Sequence, residues 1–368
     1  MSFLRFSPCV FVIGEEYEIL LHANENGLLA VEIDGEIYYE ENTGVLSTEK
    51  TYARIRVPQA ALDRAKKYTA IWRKSIDRKA YFSVLGDPER TELAFSPIEK
   101  TNGIHIYHMA DVHYYFEIAK RTFSHVSQDL DLLILNGDIG EVETEEHYLE
   151  VCRFVGELSK GRIPVIFVRG NHDTRGHLAE RYTDYFPSNG KDTFYTFSVG
   201  PLCGVALDCG EDKYDEHEEY GGVNAFEAFR RRETAFLRSV TLPKDKIRLA
   251  ISHICPAQPA DAEGSIHNID REVYREWNRE LARMEIGCMI CGHMHQCYLL
   301  KKNDAASLHP HDFPVVVGSV CEYGKSIWGA DLWIENGIMR VRFTDQDGVT
   351  HGTHTVDLTD GEIAEVPE

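Results

Sequence analysis

The chain of 368 residues is 43% hydrophobic and 27% charged, long enough for two domains that each bury a core. Its 60 acidic residues outnumber 39 basic ones, a formal charge of −21, which excludes a surface built for nucleic acid or anionic membrane, since both need clustered lysine and arginine. Nine scattered cysteines, an odd number, and no run near the ~20 apolar residues of a membrane span point to a reducing, cytoplasmic location with no membrane partner. Residues 9–97 read as β-structure almost throughout. Short strands are predicted at 10–13, 18–22, 28–33 and 36–39, parted by the turn-forming stretches 24–27 and 34–35. Residues 51–57 and 67–73 alternate apolar and polar side chains, as half-buried antiparallel strands do. Strands of this length and spacing predict a β-sandwich.

The polar stretch 96–103 carries Pro97 and Gly103, and the domain boundary is placed there, dividing the chain into 1–98 and 99–368. Strands then alternate with helices. The strands are predicted at 104–109, 130–135, 164–169 and 247–252, the helices at 114–123, 144–158, 224–240 and 270–284. That alternation implies an α/β layer architecture. Strands return from 313 onward, and the last ten residues, acidic and without periodicity, are expected to form a loose tail. Arg230-Arg231-Arg232 is expected on an exposed helical face. The long acidic loop 209–222 is either solvated or a cover for a site. Cys288-x-x-Cys291 has no second cysteine pair to complete a four-ligand site and is read as a strand coincidence.

Five strand ends carry ligand-type residues: Asp111-Val-His113, Gly137-Asp138, Gly170-Asn171-His172-Asp173, the lone His253, and Gly292-His293-Met294-His295. Singly, each has an ordinary explanation as a cap or a core histidine. Jointly they have no structural motive, and loops beyond the carboxyl ends of parallel strands are where such sheets do chemistry. The ordered set resembles the calcineurin-like metallophosphoesterase superfamily, whose pattern is Asp-x-His, Gly-Asp, Gly-Asn-His-Asp/Glu, a lone His and Gly-His-x-His. The resemblance covers the whole second domain. It implies a four-layer α/β/β/α metallophosphoesterase sandwich. The N-terminal all-β domain resembles the fibronectin type III or immunoglobulin-like domain of purple acid phosphatases and their bacterial relatives, with Leu62 and Tyr68 spaced as in a tyrosine corner.

By that resemblance one metal is held by Asp111, His113 and His295 with Asp138 shared, and a second by Asp138, Asn171, His253 and His293. Two divalent transition metal ions are implied, and mixed imidazole and carboxylate ligands suit Mn, Fe, Zn or Ni. A bridging hydroxide would attack phosphorus, and His172 would stabilise the transition state or protonate the leaving oxygen. Purple acid phosphatases have a tyrosine where this chain has Glu141 and lack the histidine at the His113 position. The centre is therefore expected to be colourless, with Glu141 either orienting His172 or solvated. The expected function is hydrolysis of a small phosphorylated substrate, a phosphomonoester. The alternative is a phosphodiesterase acting on small cyclic nucleotides or phospholipid-type diesters. A non-catalytic scaffold should have lost ligands, and no exposed aromatic row argues for a binding module.

Overall fold

The structure, a computed structural model, describes residues 2–127, 129–140, 143–257 and 265–366. Its centre is three parallel strands, Ile104–Met109, Leu132–Asn136 and Val165–Val168. Every residue in them is buried, which is why they are mostly apolar on both faces rather than alternating apolar and polar. Their two faces nonetheless have different neighbours. Tyr107, Met109, Leu133, Leu135, Val165 and Phe167 pack with Ala119, Tyr148, Val151 and Phe154 of the helices Phe116–Phe123 and Glu145–Ser159. Ile104, Ile106, Leu132, Ile134, Ile166 and Val168 face inward, against a second sheet.

That second sheet has the order Tyr195–Val199, Leu202–Leu207, Ile247–Ser252, Cys288–Cys291, Val315–Val317, Tyr298–Leu300. Leu249, Ile251, Cys288, Ile290 and Val316 meet the first sheet. Val205, Leu207, Ala250, Met289 and Val317 pack on the outer helices Phe226–Ser239 and Arg271–Arg283 through Leu237, Tyr274, Trp277 and Leu281. Helix, sheet, sheet and helix thus form four layers, and the predicted strands and helices of residues 104–291 fall within a few residues of their expected places. Among the described residues no helix is long and apolar enough to cross a membrane.

The N-terminal strands lie within a few residues of their expected places, but one of them pairs across the expected boundary. Cys9–Ile13 pairs in parallel with Val165–Val168 and carries Glu16–His22 and Tyr52–Pro58 beside it. The ten-stranded sheet therefore runs without interruption across the boundary expected at 98/99. Gly27–Ile33, Glu36–Tyr38, Lys67–Arg78, Ser83–Leu85 and Glu89–Ala94 form a separate antiparallel sheet, which supplies the second β-layer. Leu29, Val31, Tyr68 and Trp72 of that sheet lie in the same apolar cluster as Ile104, Leu132 and Ile251, so the core is continuous too.

Tyr68 does not make a tyrosine corner. Such a hydroxyl bonds to backbone a few residues upstream, whereas Tyr68 Oη donates to the Gly161 carbonyl at 2.9 Å, beyond the helix Glu145–Ser159. Arg230 is not on an exposed face: it is 0% exposed, paired with Asp270 at 2.5 Å, and donates to the carbonyls of Cys209 and Glu211. Arg231 and Arg232 do lie at the surface. Nor is the acidic C-terminal stretch loose throughout, because Ile363–Glu365 pairs with Thr350–Asp357 as an edge strand.

Candidate metal centre

All eight residues singled out in the sequence arrive at the same edge of the two sheets. Asp111 and His113 follow the strand Ile104–Met109, Asp138 follows Leu132–Asn136, and Asn171 and His172 follow Val165–Val168. From the second sheet, His253 follows Ile247–Ser252, and His293 and His295 follow Cys288–Cys291. Their donor atoms converge in overlapping groups: Asp111, His113 and His295; His113, Asp138 and His172; Asp138, His253 and His293. His113 Nε2 lies 3.4 Å from His295 Nε2 and 3.8 Å from Asp138 Oδ2. Asp111 Oδ1 is 3.4 Å from His295 Nε2 and 3.8 Å from His253 Nε2. Asn171 Oδ1 lies 3.1 Å from His293 Nδ1. Asp138 thus stands between the two sheets' contributions.

The backbone accepts strain to achieve this. Asp111, His113, Asp138, His293 and His295 all have positive φ, between 45° and 69°, a region non-glycine residues avoid and functional sites tolerate. Close approach explains two motif glycines. A Cβ on Gly170 would lie 2.1 Å from Asp138 Oδ1 and 2.5 Å from its backbone nitrogen, and one on Gly137 would lie 2.6 Å from the His253 ring. Asn136 ties the sheets together beneath the site. Its amide nitrogen reaches the carbonyls of Ser252 and Ile290 at 3.1 and 3.2 Å, and its carbonyl accepts from His253 Nδ1 at 2.7 Å. That bond turns His253 Nε2 toward the centre, the orientation a metal-ligating histidine needs.

Asp111 Oδ1 and His253 Nε2 are buried and make no hydrogen bond; the latter is 3.1 Å from Asp138 Oδ2 but not aligned for one. Buried polar atoms without partners are costly, and a cation would satisfy both. The carboxylate and imidazole donor set fits divalent transition metals. Burial lowers the pKa of His113, and burial followed by the charge of His253 lowers that of His293 to about 4, so both are neutral and able to ligate. For Asp138, burial opposes ionisation, but the imidazoles of His253, His172 and His113 outweigh it and hold the carboxyl well below its usual range. Burial works against protonation of His253, yet Asp138 and Asp111 raise it to about 10. Metal entry must therefore displace a proton there.

Around this core lies a brace that the sequence did not reveal. Asp173 Oδ2 accepts from the backbone N–H groups of Gly170 and Asp138 at 2.8 and 3.0 Å, locking one ligand loop to the other. The backbone N–H of His172 donates to Asp138 Oδ1 at 2.9 Å. Arg175 places Nη1 3.4 Å from His172 Nε2 while its Nε and Nη2 grip buried Glu211 at 2.7 and 2.8 Å. Tyr220 Oη donates to Glu211 at 3.1 Å. The acidic loop 209–222 is therefore partly folded into the site, and its Glu211 and Tyr220 are buried. Asp173 could have been flagged as part of the Gly-Asn-His-Asp run. No spacing links Arg175 to Glu211. Glu141 lies outside the described residues. Cys288 and Cys291 sit on opposite faces of one strand, in different core clusters, so they cannot converge on a metal; none of the nine cysteines forms a disulfide.

The profile of the calcineurin-like phosphoesterase family, Metallophos, matches residues 104–297, the span that contains every residue of the convergent groups. No curated protein matches the chain. Among solved structures, a purple acid phosphatase from yellow lupin (Lupinus luteus) seeds superposes with a TM-score of 0.60 at 12% identity, covering 95% of this chain and 74% of that one. PhoD superposes with a TM-score of 0.57 at 9% identity, covering 100% and 93% respectively. At such identities these likenesses concern the fold. The family match, centred on the strands and loops just described, shows that the chain belongs to the calcineurin-like phosphoesterases, a family of metal-dependent phosphoric ester hydrolases.

Proposed function

We propose that the chain is a phosphomonoesterase that works with two divalent transition metal ions. The observation that carries this reading is the convergence of seven donor residues, Asp138 central among them, with buried Asp111 Oδ1 and His253 Nε2 lacking hydrogen bonds. Asp111, His113 and His295 would hold one ion, Asn171, His253 and His293 the other, and Asp138 would touch both. When bound, the ions supply Lewis-acid stabilisation of phosphoryl charge and a water acidified toward neutrality. The chain's own residues do the rest. His172 is fixed by its backbone bond to Asp138 and donates a proton to the leaving oxygen. Arg175 Nη1 lies 3.4 Å from His172 Nε2 and helps position the ring beside the centre. The formal charge of −21 disfavours a polyanionic nucleic acid.

Residues 1–98 divide into strands that extend the catalytic sheet and strands that cover it, which supports reading them as a fibronectin type III-like sandwich joined edgewise to a catalytic part at 99–368. Nine cysteines, none in a disulfide, support a reducing, cytoplasmic setting. The test is metal content measured with turnover. Purified protein should carry about two transition metals per chain, and Asp138→Ala should lose both. It should hydrolyse a generic monoester faster than a generic diester. Full metal retention in the variant would sink the ligand assignment, and a diester preference would sink the monoesterase reading.

A further inference from the structure

Tyr323 is 56% exposed, yet its ring centroid lies 5.2 Å from that of His113 and 5.4 Å from that of His295. Those two histidines belong, with Asp111, to one convergent donor group. A large planar ring therefore borders the centre on one side and solvent on the other. Its position is fixed by the chain beneath it. Tyr323 occupies the turn of a hairpin formed by Cys321–Glu322 and Ser326–Ile327, closed by the Lys325 N–H to the Glu322 carbonyl at 2.7 Å. The base of the hairpin is anchored: Thr122 Oγ1 donates to the Ile327 carbonyl at 2.7 Å, Ser326 Oγ to Gln346 at 2.8 Å, and the Trp328 N–H to the Val320 carbonyl at 3.0 Å. Tyr115 stands 6.2 Å away, nearly edge-on at 66°, so the two rings make an aromatic corner next to the donors.

We propose that Tyr323 is a substrate-contact residue whose ring stacks on a planar ring carried by the alcohol portion of the phosphoester, which makes aryl or nucleoside-type phosphates the preferred substrate class. The inference rests on the phosphoester-hydrolase reading and deepens it. Phosphorus must sit at the convergent donors, and the leaving group extends outward from it through one oxygen. The Tyr323 ring, whose centroid lies about 5 Å from those of two donor-bearing rings, is within its reach. Binding sites of this kind pair a few polar groups with an aromatic wall, and aromatic stacking discriminates planar groups by roughly 5- to 100-fold.

The test compares metal-loaded wild type, Tyr323→Ala and Tyr323→Phe on phenyl phosphate, a purine nucleoside monophosphate and glycerol phosphate. Tyr323→Ala should raise KM for a planar substrate about 10-fold and leave KM for glycerol phosphate and the metal content unchanged. Tyr323→Phe, which keeps the ring, should behave as wild type. The planar substrate that loses more identifies the alcohol, aryl or nucleoside. Titration with phenylphosphonate and methylphosphonate, which are not turned over, should show the same contrast in Kd. Equal losses on all three substrates, or no loss on either planar one, would overturn the stacking role. If the wild type turns over none of them while the phosphonate contrast persists, the hydrolase reading fails and the contact stands.

Discussion

Asp138 is asked to do two things that oppose each other. Its carboxylate must stay ionised while fully buried, and its backbone must hold a φ of 54°. Three imidazoles supply the first, and the bond from its own N–H to Asp173 helps hold the second. His172 is different: it touches the same carboxylate through its backbone but carries no ligand assignment, so chemistry and metal binding can be separated there. His172→Asn should keep both metals and the fold while turnover falls by about 10²–10⁴. The loss should be larger for alkyl esters, whose leaving oxygen needs a proton, than for nitrophenyl esters, which leave without one. Loss of metal from the variant, or equal rates on both ester classes, would reject a proton-donor role. The donor residues were legible in the sequence because each ends a buried strand in a recognisable short motif. Arg175, Glu211 and Tyr323 were not, because their contacts join loops whose proximity exists only once both sheets are assembled.

At the level of elements, burial and charge set a second test far from the centre. His22 ends the strand Glu16–His22 between the rings of Phe6 and Tyr52, at 4.9 and 5.7 Å. Neither ring nitrogen has a hydrogen-bond partner. Burial, reinforced by the cation of Arg5, lowers its pKa to about 3. The unfolded chain takes up a proton near 6.5 and the folded chain does not until about 3. Stability supplied by this neutral histidine is therefore complete above 6.5 and is lost as pH falls through that window. Between pH 7 and 5 the loss should be about 2 kcal/mol. His22→Phe, which keeps an aromatic filling, should flatten the fall of urea unfolding stability with pH by that amount; identical slopes in the two proteins would refute the assignment. Helices and buried strands were readable from periodicity and apolar runs. Arg230 was misplaced because composition says arginine is exposed, and only the start of the next helix, with Asp270, provides its buried partner.

On the scale of the whole molecule, alternation told which face of each N-terminal strand is buried but not against what, so a separate domain was the natural expectation. The parallel pairing of Cys9–Ile13 with Val165–Val168 carries the sheet across instead. Gly14 adds backbone bonds to Thr196 and Ser198 of the second sheet, at 2.6 and 2.8 Å. Residues 99–368 alone would expose the open edge of Val165–Val168 and the part of the shared core that Leu29, Val31, Tyr68 and Trp72 cover. Such a fragment should be aggregated or loosely packed, with strong binding of a hydrophobic dye. A soluble, compact, metal-binding fragment would show that the two parts fold independently. The same pairing also orders events in time. Cys9–Ile13 leaves the ribosome before its partner, which follows about 150 residues later, Phe11 against Val165. At ordinary synthesis rates that is a wait of roughly 10–30 s. During it the strand has only its antiparallel neighbour on one side, while its other edge stays open and apolar. The nascent chain thus depends on that edge being shielded until the third central strand emerges.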